Sequence, residues 1–373
     1  MNIQRYIILI ALAVVSWLMI QQWNKDYVQT QSNQQNAVVN EETLSAVPAA
    51  PTAEPVVSDV PAQPTANSAS TPAAAASAES TQLIQVDTDV FSIKIDPTGG
   101  DIVYVGLKQY PQSKQDSKPF ILLNRTKDHT FIAQSGLVGE NGTDEASGKR
   151  PLFKAAQTQF SLADGADTLE VPLTYTQANG AQITKTYVFA RNNYKVDLRY
   201  DVKNNADKEW KGFLYTQLKR DNAADPSITN GLSSMPTYLG SAYWTPEKPF
   251  EKLKFGDFAD KPVNISHKGG WMAVVQHYFV SAWIANPNEV TQYKTSVVGE
   301  NHVFTSISPL IAVAPGQEKR YQVSLYTGPK IQKELKELSP GLELAVDYGI
   351  LFFIAKVLFW LLTFYHGLIG NWG

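Results

Sequence analysis

Hydrophobic residues are spread along this chain in distinct ways: an unbroken apolar run, a long stretch of strict alternation, and a late apolar run that carries a polar stripe. The first run, residues 6–23, reads YIILIALAVVSWLMIQQW and has no charge between Ile7 and Ile20. With its flanks it approaches the ~17–25 residues of a spanning helix. Trp17 and Trp23 lie toward its far end, where amphipathic rings favour the membrane interface. The pattern predicts a transmembrane anchor over 6–23 behind a short N-terminus over 1–5. A cleaved signal peptide needs small residues at alternate positions just after the apolar run. Gln21, Gln22, Trp23, Asn24 and Lys25 stand there instead, so the anchor is expected to be retained. Arg5 and the α-amine precede it and Lys25 follows, a slight positive-inside bias that places residues 1–5 in the cytoplasm and the rest of the chain outside it.

Residues 24–82 are dominated by Ala, Pro, Ser, Thr, Gln and Val, with no aromatic residue between Tyr27 and Phe91. Such a segment buries too little apolar surface to offset its chain entropy, so it reads as a disordered linker. As a coil it spans roughly 40 Å and holds the next domain loosely. Alternation then begins. Phe91, Ile93 and Ile95 alternate with Ser92, Lys94 and Asp96, and Tyr194, Val196, Leu198, Tyr200 and Val202 alternate with charged residues. Leu169, Val171, Leu173 and Tyr175 repeat the pattern. Period two means one buried and one wet face. Turn chemistry separates the runs: Pro97-Thr98-Gly99-Gly100, Asp164-Gly165, Asn179-Gly180, Asn192-Asn193 and Pro315-Gly316. No helix-length periodicity interrupts them before Pro329. The expected fold is mainly β, a large antiparallel sandwich over 83–328 and not an α/β domain.

After it, Ile331 to Leu338 (IQKELKEL) reads as helix with Ser339-Pro340-Gly341 as its stop, a connecting helix within 329–346. The late apolar run, Tyr348 to Ile369, holds Lys356 near its middle, which costs about 2.5–3.5 kcal/mol in a spanning helix. At helical spacing Gly349, Lys356 and Thr363 share a face with His366 at its edge, opposite Leu, Ile, Phe and Trp. That favours an amphipathic helix over 347–373 lying in the interface rather than spanning. The residues expected at the membrane interface are Trp23, Tyr348, Lys356, Trp360, His366 and Trp372.

Composition narrows the chemistry. The 373 residues carry a net charge of -3, and no basic cluster supplies the field that phosphate binding needs, so nucleic acid is not an expected partner. No cysteine is present, which excludes disulfides, zinc–thiolate sites and lipoprotein acylation. No HExxH, phosphate-cradling loop or GxSxG elbow occurs. No catalytic, cofactor or metal site is expected. His129, His267, His277 and His302 leave two readings open: a histidine and carboxylate acting on a sugar, or rim histidines. Lys268-Gly269-Gly270-Trp271 reads as a tight turn into a core strand.

Certain stretches are similar, in order and spacing, to the YidC family of bacterial membrane protein insertases. They are Ala133-Gln134-Ser135-Gly136-Leu137, Thr184-Lys185-Thr186-Tyr187-Val188, Gln217-Leu218-Lys219 and Lys268-Gly269-Gly270-Trp271. Tyr278-Phe279, Ala282-Trp283-Ile284, Gly328-Pro329, Val346-Asp347-Tyr348-Gly349 and Gly370-Asn371-Trp372-Gly373 continue the match. The resemblance implies a periplasmic β-supersandwich, similar to sugar-mutarotase domains, at the bacterial inner membrane. It further implies partnership with the Sec translocon and the lipid bilayer, no cofactor, and a role in inserting, folding and assembling nascent inner-membrane proteins. In the family a second transmembrane helix and a membrane core with a polar groove would follow Gly373, so the chain is expected to be the N-terminal part of a longer protein. The alternative is a membrane-anchored periplasmic sugar-binding or mutarotase-like domain.

Overall fold

A computed structural model describes residues 60–61, 82–113, 116–227 and 238–346. The expected anchor over 6–23, most of the 24–82 linker and the expected interfacial helix over 347–373 lie outside the described residues. Among the described residues no helix is long and apolar enough to cross a membrane.

In chain order the first strands are β1 (Ile84–Asp87), β2 (Phe91–Asp96), β3 (Asp101–Ser113), β4 (Asp116–Arg125), β5 (Thr130–Val138), β6 (Lys154–Ala155) and β7 (Gln159–Ser161). Next come β8 (Thr168–Thr176), β9 (Gln182–Ala190), β10 (Lys195–Lys203), β11 (Trp210–Arg220), β12 (Gly240–Tyr243), β13 (Glu251–Leu253) and β14 (Asn264–Lys268). Then follow β15 (Trp271–Val275), β16 (Phe279–Ile284), β17 (Val290–Val298), β18 (Asn301–Ile307), β19 (Ile311–Val313) and β20 (Glu318–Pro329). Two short helices, α1 (Asp257–Asp260) and α2 (Gln332–Leu338), and a 3-10 turn at Leu342–Ala345 complete the set.

The strands form two sheets. An eleven-stranded sheet runs β14-β17-β18-β11-β5-β4-β3-β2-β1-β7, with β19 paired to β11 beside that path. A nine-stranded sheet runs β13-β12-β15-β16-β20-β10-β9-β8-β6. The long strands pair antiparallel, while β1 and β7 are parallel. The two sheets enclose one main core. Alternation places it: in β10, Val196, Leu198, Tyr200 and Val202 are buried, and Leu198 lies opposite Tyr187 of β9 and Val323 of β20. The expected turns fall between strands. Gly99, Gly100, Gly165, Gly180 and Gly316 all have positive φ, and so does Asn192.

The chain crosses from the large sheet to the small one between β14 and β15, at Lys268-Gly269-Gly270-Trp271. Gly269 and Gly270 have φ of 65° and 95°. A Cβ at Gly270 would stand 2.7 Å from His267 Cε1 and 2.8 Å from Trp244 Cε3, so both backbone hand and packing exclude a side chain there.

The C-terminal connection is seated on the sandwich. Leu335 of α2 and Leu342 are fully buried, and Ala345 nearly so. Each fully buried leucine contributes about 1.5–3 kcal/mol. Trp271 Nε1 donates to the Pro340 carbonyl at 3.0 Å, and Tyr326 Oη donates to that of Pro329 at 2.6 Å. Gly341, at φ 81°, turns the chain so closely over Pro249 that a Cβ would fall 2.3 Å from its carbonyl oxygen.

One feature departs from the expectation of a loose linker. Val60 and Pro61 are buried, and Val60 packs with Val138, Tyr215 and Ile307, a cluster separate from the main core.

Candidate functional site

Stretches that carry the family resemblance converge in space. Ser135 of β5 pairs with Thr216 of β11, and Lys185 of β9 lies opposite Tyr200 of β10. The period-two pattern puts Ile183, Lys185, Tyr187 and Phe189 on the same inner face, so Lys185 is a cation at a core position. Lys185 Nζ donates to the carbonyls of Gly99 at 2.9 Å and Ser135 at 3.1 Å. Arg150, on the loop after β5, pairs with Asp101 and, through Nε at 2.6 Å, with Asp144, and its Nη2 donates to the Ser135 carbonyl at 2.9 Å. Tyr215 Oη donates to Asp144 at 3.1 Å, Tyr187 Oη to the Gly100 carbonyl at 2.6 Å, and Tyr200 Oη lies 3.1 Å from Ser135 Oγ. Gln134 donates to Asp101 at 2.8 Å and accepts from Gln217 at 2.9 Å, whose carbonyl accepts from Trp283 Nε1 at 3.1 Å.

Burial opposes the charge on Arg150, but Asp101, Tyr215 and Asp144 outweigh it and hold the guanidinium pKa well above its ordinary value. Burial pulls the Lys185 amine down to about 7, against the attraction of Asp101 and Asp144 and with the repulsion of Arg150. Burial pushes the Tyr187, Tyr200 and Tyr215 hydroxyls well up. A lysine titrating near neutrality is a chemist's nucleophile. This one is fully buried with its donors aimed at backbone carbonyls, so the network ties the two sheets together and does not face a ligand.

The open feature lies elsewhere. Leu214 and Thr216 of β11, Thr291 of β17, Ser306 of β18, and Arg320 to Val323 of β20 line a cleft of about 370 Å³ between the sheets, together with Ala285, Asn286 and Glu289. Thr216 and Ser306 hydroxyls lie 2.6 Å apart in its wall, and Arg320 Nε donates to Asp201 at 2.6 Å on its rim. The cleft exists because β20 loses a neighbour there. β10 pairs with β20 from Glu318 to Tyr326, whereas β16 pairs with it only from Ser324 to Pro329. Among the described residues, Glu318–Val323 therefore has one unpaired backbone edge, beside the cleft.

The histidines are dispersed. His129 Nδ1 lies 2.8 Å from Asp221 Oδ2, and the same carboxylate accepts from Thr130 N and Ala223 N. Burial opposes the Asp221 charge, but these donors hold its pKa below the ordinary carboxylate range, so it serves as a turn clip. His267 stacks on Tyr293 at 4.7 Å, and His302 sits between Phe255 and Phe258. Burial lowers the pKa of both. His277 projects beside Tyr278. No histidine lines the cleft, and among the described residues no cluster of His, Asp and Glu could hold a metal ion. Trp23, Tyr348, Lys356, Trp360, His366 and Trp372 lie outside the described residues. Asp101, Asp144, Arg150, Glu289 and Arg320 were not singled out by sequence reasoning. The first three meet in the buried network and the last two line the cleft, each set gathered by long-range pairing that leaves no local spacing to read.

Two face-to-face antiparallel sheets of this size define a β-supersandwich domain. The YidC periplasmic domain family matches residues 83–361, and the chain belongs to the YidC family of membrane protein insertases. Membrane protein insertase YidC of Pseudomonas aeruginosa is 43% identical over 396 residues, covering 100% of this chain and 68% of the relative. That of Azotobacter vinelandii is 42% identical over 377 residues, covering 100% of this chain and 67% of the relative. The chain spans the periplasmic-domain region of these proteins and not their membrane core. Among solved structures, a galactose mutarotase-like protein from Lactobacillus casei aligns with 66% of this chain and 99% of its own length, at 9% identity and a TM-score of 0.40. One from Clostridium acetobutylicum covers 64% and 93%, at 9% identity and a TM-score of 0.41. Likenesses this distant say nothing about sugar chemistry here.

Proposed function

We propose that this chain is the membrane-tethered periplasmic part of an insertase that serves nascent inner-membrane proteins, working with Sec translocon components at the bilayer surface. Its N-terminus lies in the cytoplasm, residues 6–23 anchor it, and residues 347–373 lie in the outer interface of the inner membrane, with Tyr348, Lys356, Trp360, His366 and Trp372 at the headgroups. The observation that carries the reading is the seat of the C-terminal connection: Leu335, Leu342 and Ala345 are buried and Trp271 holds the Pro340 carbonyl. A connection packed this way transmits orientation, which a coil does not. The sandwich is thereby held at a set height and angle over the segment that meets the membrane, and the cleft beside β20 faces arriving periplasmic segments of the substrate.

The test uses cells depleted of their own insertase and supplied with a complete insertase carrying this domain. A flexible Gly-Ser insertion between Leu338 and Ser339 unseats the connection, and an equal insertion at Asp164-Gly165 lengthens only the loop between β7 and β8. Insertion of a dependent membrane protein should fall several-fold with the first and stay unchanged with the second. Equal insertion by both sinks the orienting role.

A further inference from the structure

The outer face of the large sheet carries an apolar patch with its own occupant. On β11, Leu214 and Leu218 belong to the main core, whereas Phe213 and Tyr215 belong to the separate cluster with Val138, Ile307 and Val60. Alternate residues of a strand point to opposite faces, so this cluster lies on the side of the sheet turned away from the small sheet. Register makes it one surface: Phe213 lies opposite Val138 of β5, and Tyr215 opposite Ile307 of β18. Tyr215 and Ile307 would be wet on an uncovered outer face, yet they are 0% and 1% exposed. Part of the cover is the loop that brings Asp144 and Arg150 to Tyr215. Val60, itself 6% exposed, packs on the same cluster, with Pro61 buried next to it.

We propose that this patch is a docking site for the chain's own segment around Val60-Pro61, and that docking moves the point from which the membrane tether leaves the domain. The surrounding sequence, Val56-Val57-Ser58-Asp59-Val60-Pro61, is locally richer in branched apolar residues than the Ala-, Ser- and Thr-rich chain that follows. Proline suits an extended segment laid on a sheet face, because it fixes φ and needs no donor partner. Without docking, the tether would reach the domain at β1, next to the edge strand β7. With it, the tether ends at mid-sheet on β5, β11 and β18, and the stretch between Pro61 and Gln82 becomes a closed loop. For a coil, ending at Asp59 instead of Thr81 shortens the span from about 42 to about 33 Å. The attachment side changes more than the reach does: the outer face of the large sheet becomes the side from which the domain is pulled.

Hydrogen exchange on the detergent-solubilised full chain tests this, with Val60→Asp and Val60→Ile variants. Amides of residues 58–62 should exchange at least tenfold more slowly than those of residues 45–53. Val60→Asp should abolish that protection and Val60→Ile keep it, with far-UV circular dichroism unchanged in both. A labelled peptide of residues 56–64 should bind the Val60→Asp chain at least tenfold more tightly than the native chain, whose own segment fills the site. Fast exchange over 58–62 in the native chain overturns the proposal, as does equal or absent peptide binding by the two proteins.

Discussion

Lys185 shows how one residue can break the local rule that built its strand. Its neighbours Ile183, Tyr187 and Phe189 obey the alternation, and the same alternation delivers an ammonium to the core. That conflict is visible in the sequence. Its accommodation by Asp101, Asp144 and two carbonyls, against the repulsion of Arg150, is not, because those groups come from distant parts of the chain. The consequence is a pH dependence. The folded pKa of about 7 lies below the ordinary lysine value of 10.5, so between these limits the unfolded chain binds more protons than the folded one. Stability therefore rises with pH across that window. Denaturant midpoints at pH 7, 8 and 9 should climb for the native domain and stay flatter for Lys185→Met. Equal slopes would show that the amine keeps its proton when folded. Arg150 is the opposite case. Arg150→Ala leaves Asp101 and Asp144 buried without their cation, and breaking a buried pair in this way costs about 3–5 kcal/mol. A loss below 1 kcal/mol in the same denaturation experiment would mean that water replaces the guanidinium.

Elements were legible to the extent that their signals are local. Strand runs and glycine or asparagine turns announce themselves within a few residues, and Gly99-Gly100, Asn179-Gly180 and Pro315-Gly316 all fall at strand ends. Sheet order is not local. That β5 pairs with β11, or that β20 lies between β10 and β16, depends on partners far apart in sequence, and no periodicity encodes the choice. Val60 was illegible for a related reason: a short valine cluster in a proline-rich stretch has no period. The open edge of β20 follows from the same long-range register. Alternate N–H groups of Glu318–Val323 point away from β10 and, among the described residues, meet no strand on that side, whereas Ser324–Tyr326 lies between β10 and β16. Exchange should be fast at alternate amides of the first group and slow through Ser324–Tyr326. Uniform protection along β20 would mean that another segment covers the edge. At the sheet crossing, Gly270→Ala must adopt a φ of 95° against His267 and Trp244, a strain of order 1–3 kcal/mol. Thermal unfolding should show it, with Gly165→Ala, whose added Cβ would meet nothing within 4 Å, as a control for backbone hand alone.

At the scale of the whole molecule the question is how a rigid sandwich meets a membrane through two connections of different character. The N-terminal one touches the large sheet at Val60. The C-terminal one runs from Pro329 through α2 to Val346 with Leu335, Leu342 and Ala345 buried, and hands the chain directly to Asp347. On the proposed function the segment that follows meets the membrane, and its attitude there would decide which way the cleft beside β20 faces. Lys356 argues for lying flat. Midway along an apolar run, its ammonium costs about 2.5–3.5 kcal/mol in a spanning helix, and it meets headgroups at no such cost in an interfacial one. At helical spacing Gly349 and Thr363 would share its face, so in the interfacial arrangement both would stay on the periplasmic side, whereas in a spanning helix they would approach opposite surfaces. The chain has no cysteine, so single cysteines at these two positions report without interference. Both should react with a membrane-impermeant thiol reagent added from the periplasm. In a Lys356→Leu background the main charge penalty is gone, and reaction at position 363 should fall while that at 349 persists. If position 363 is already protected in the native background, the segment spans, and the seat at Pro340 would orient the sandwich over a transmembrane helix instead of a surface one.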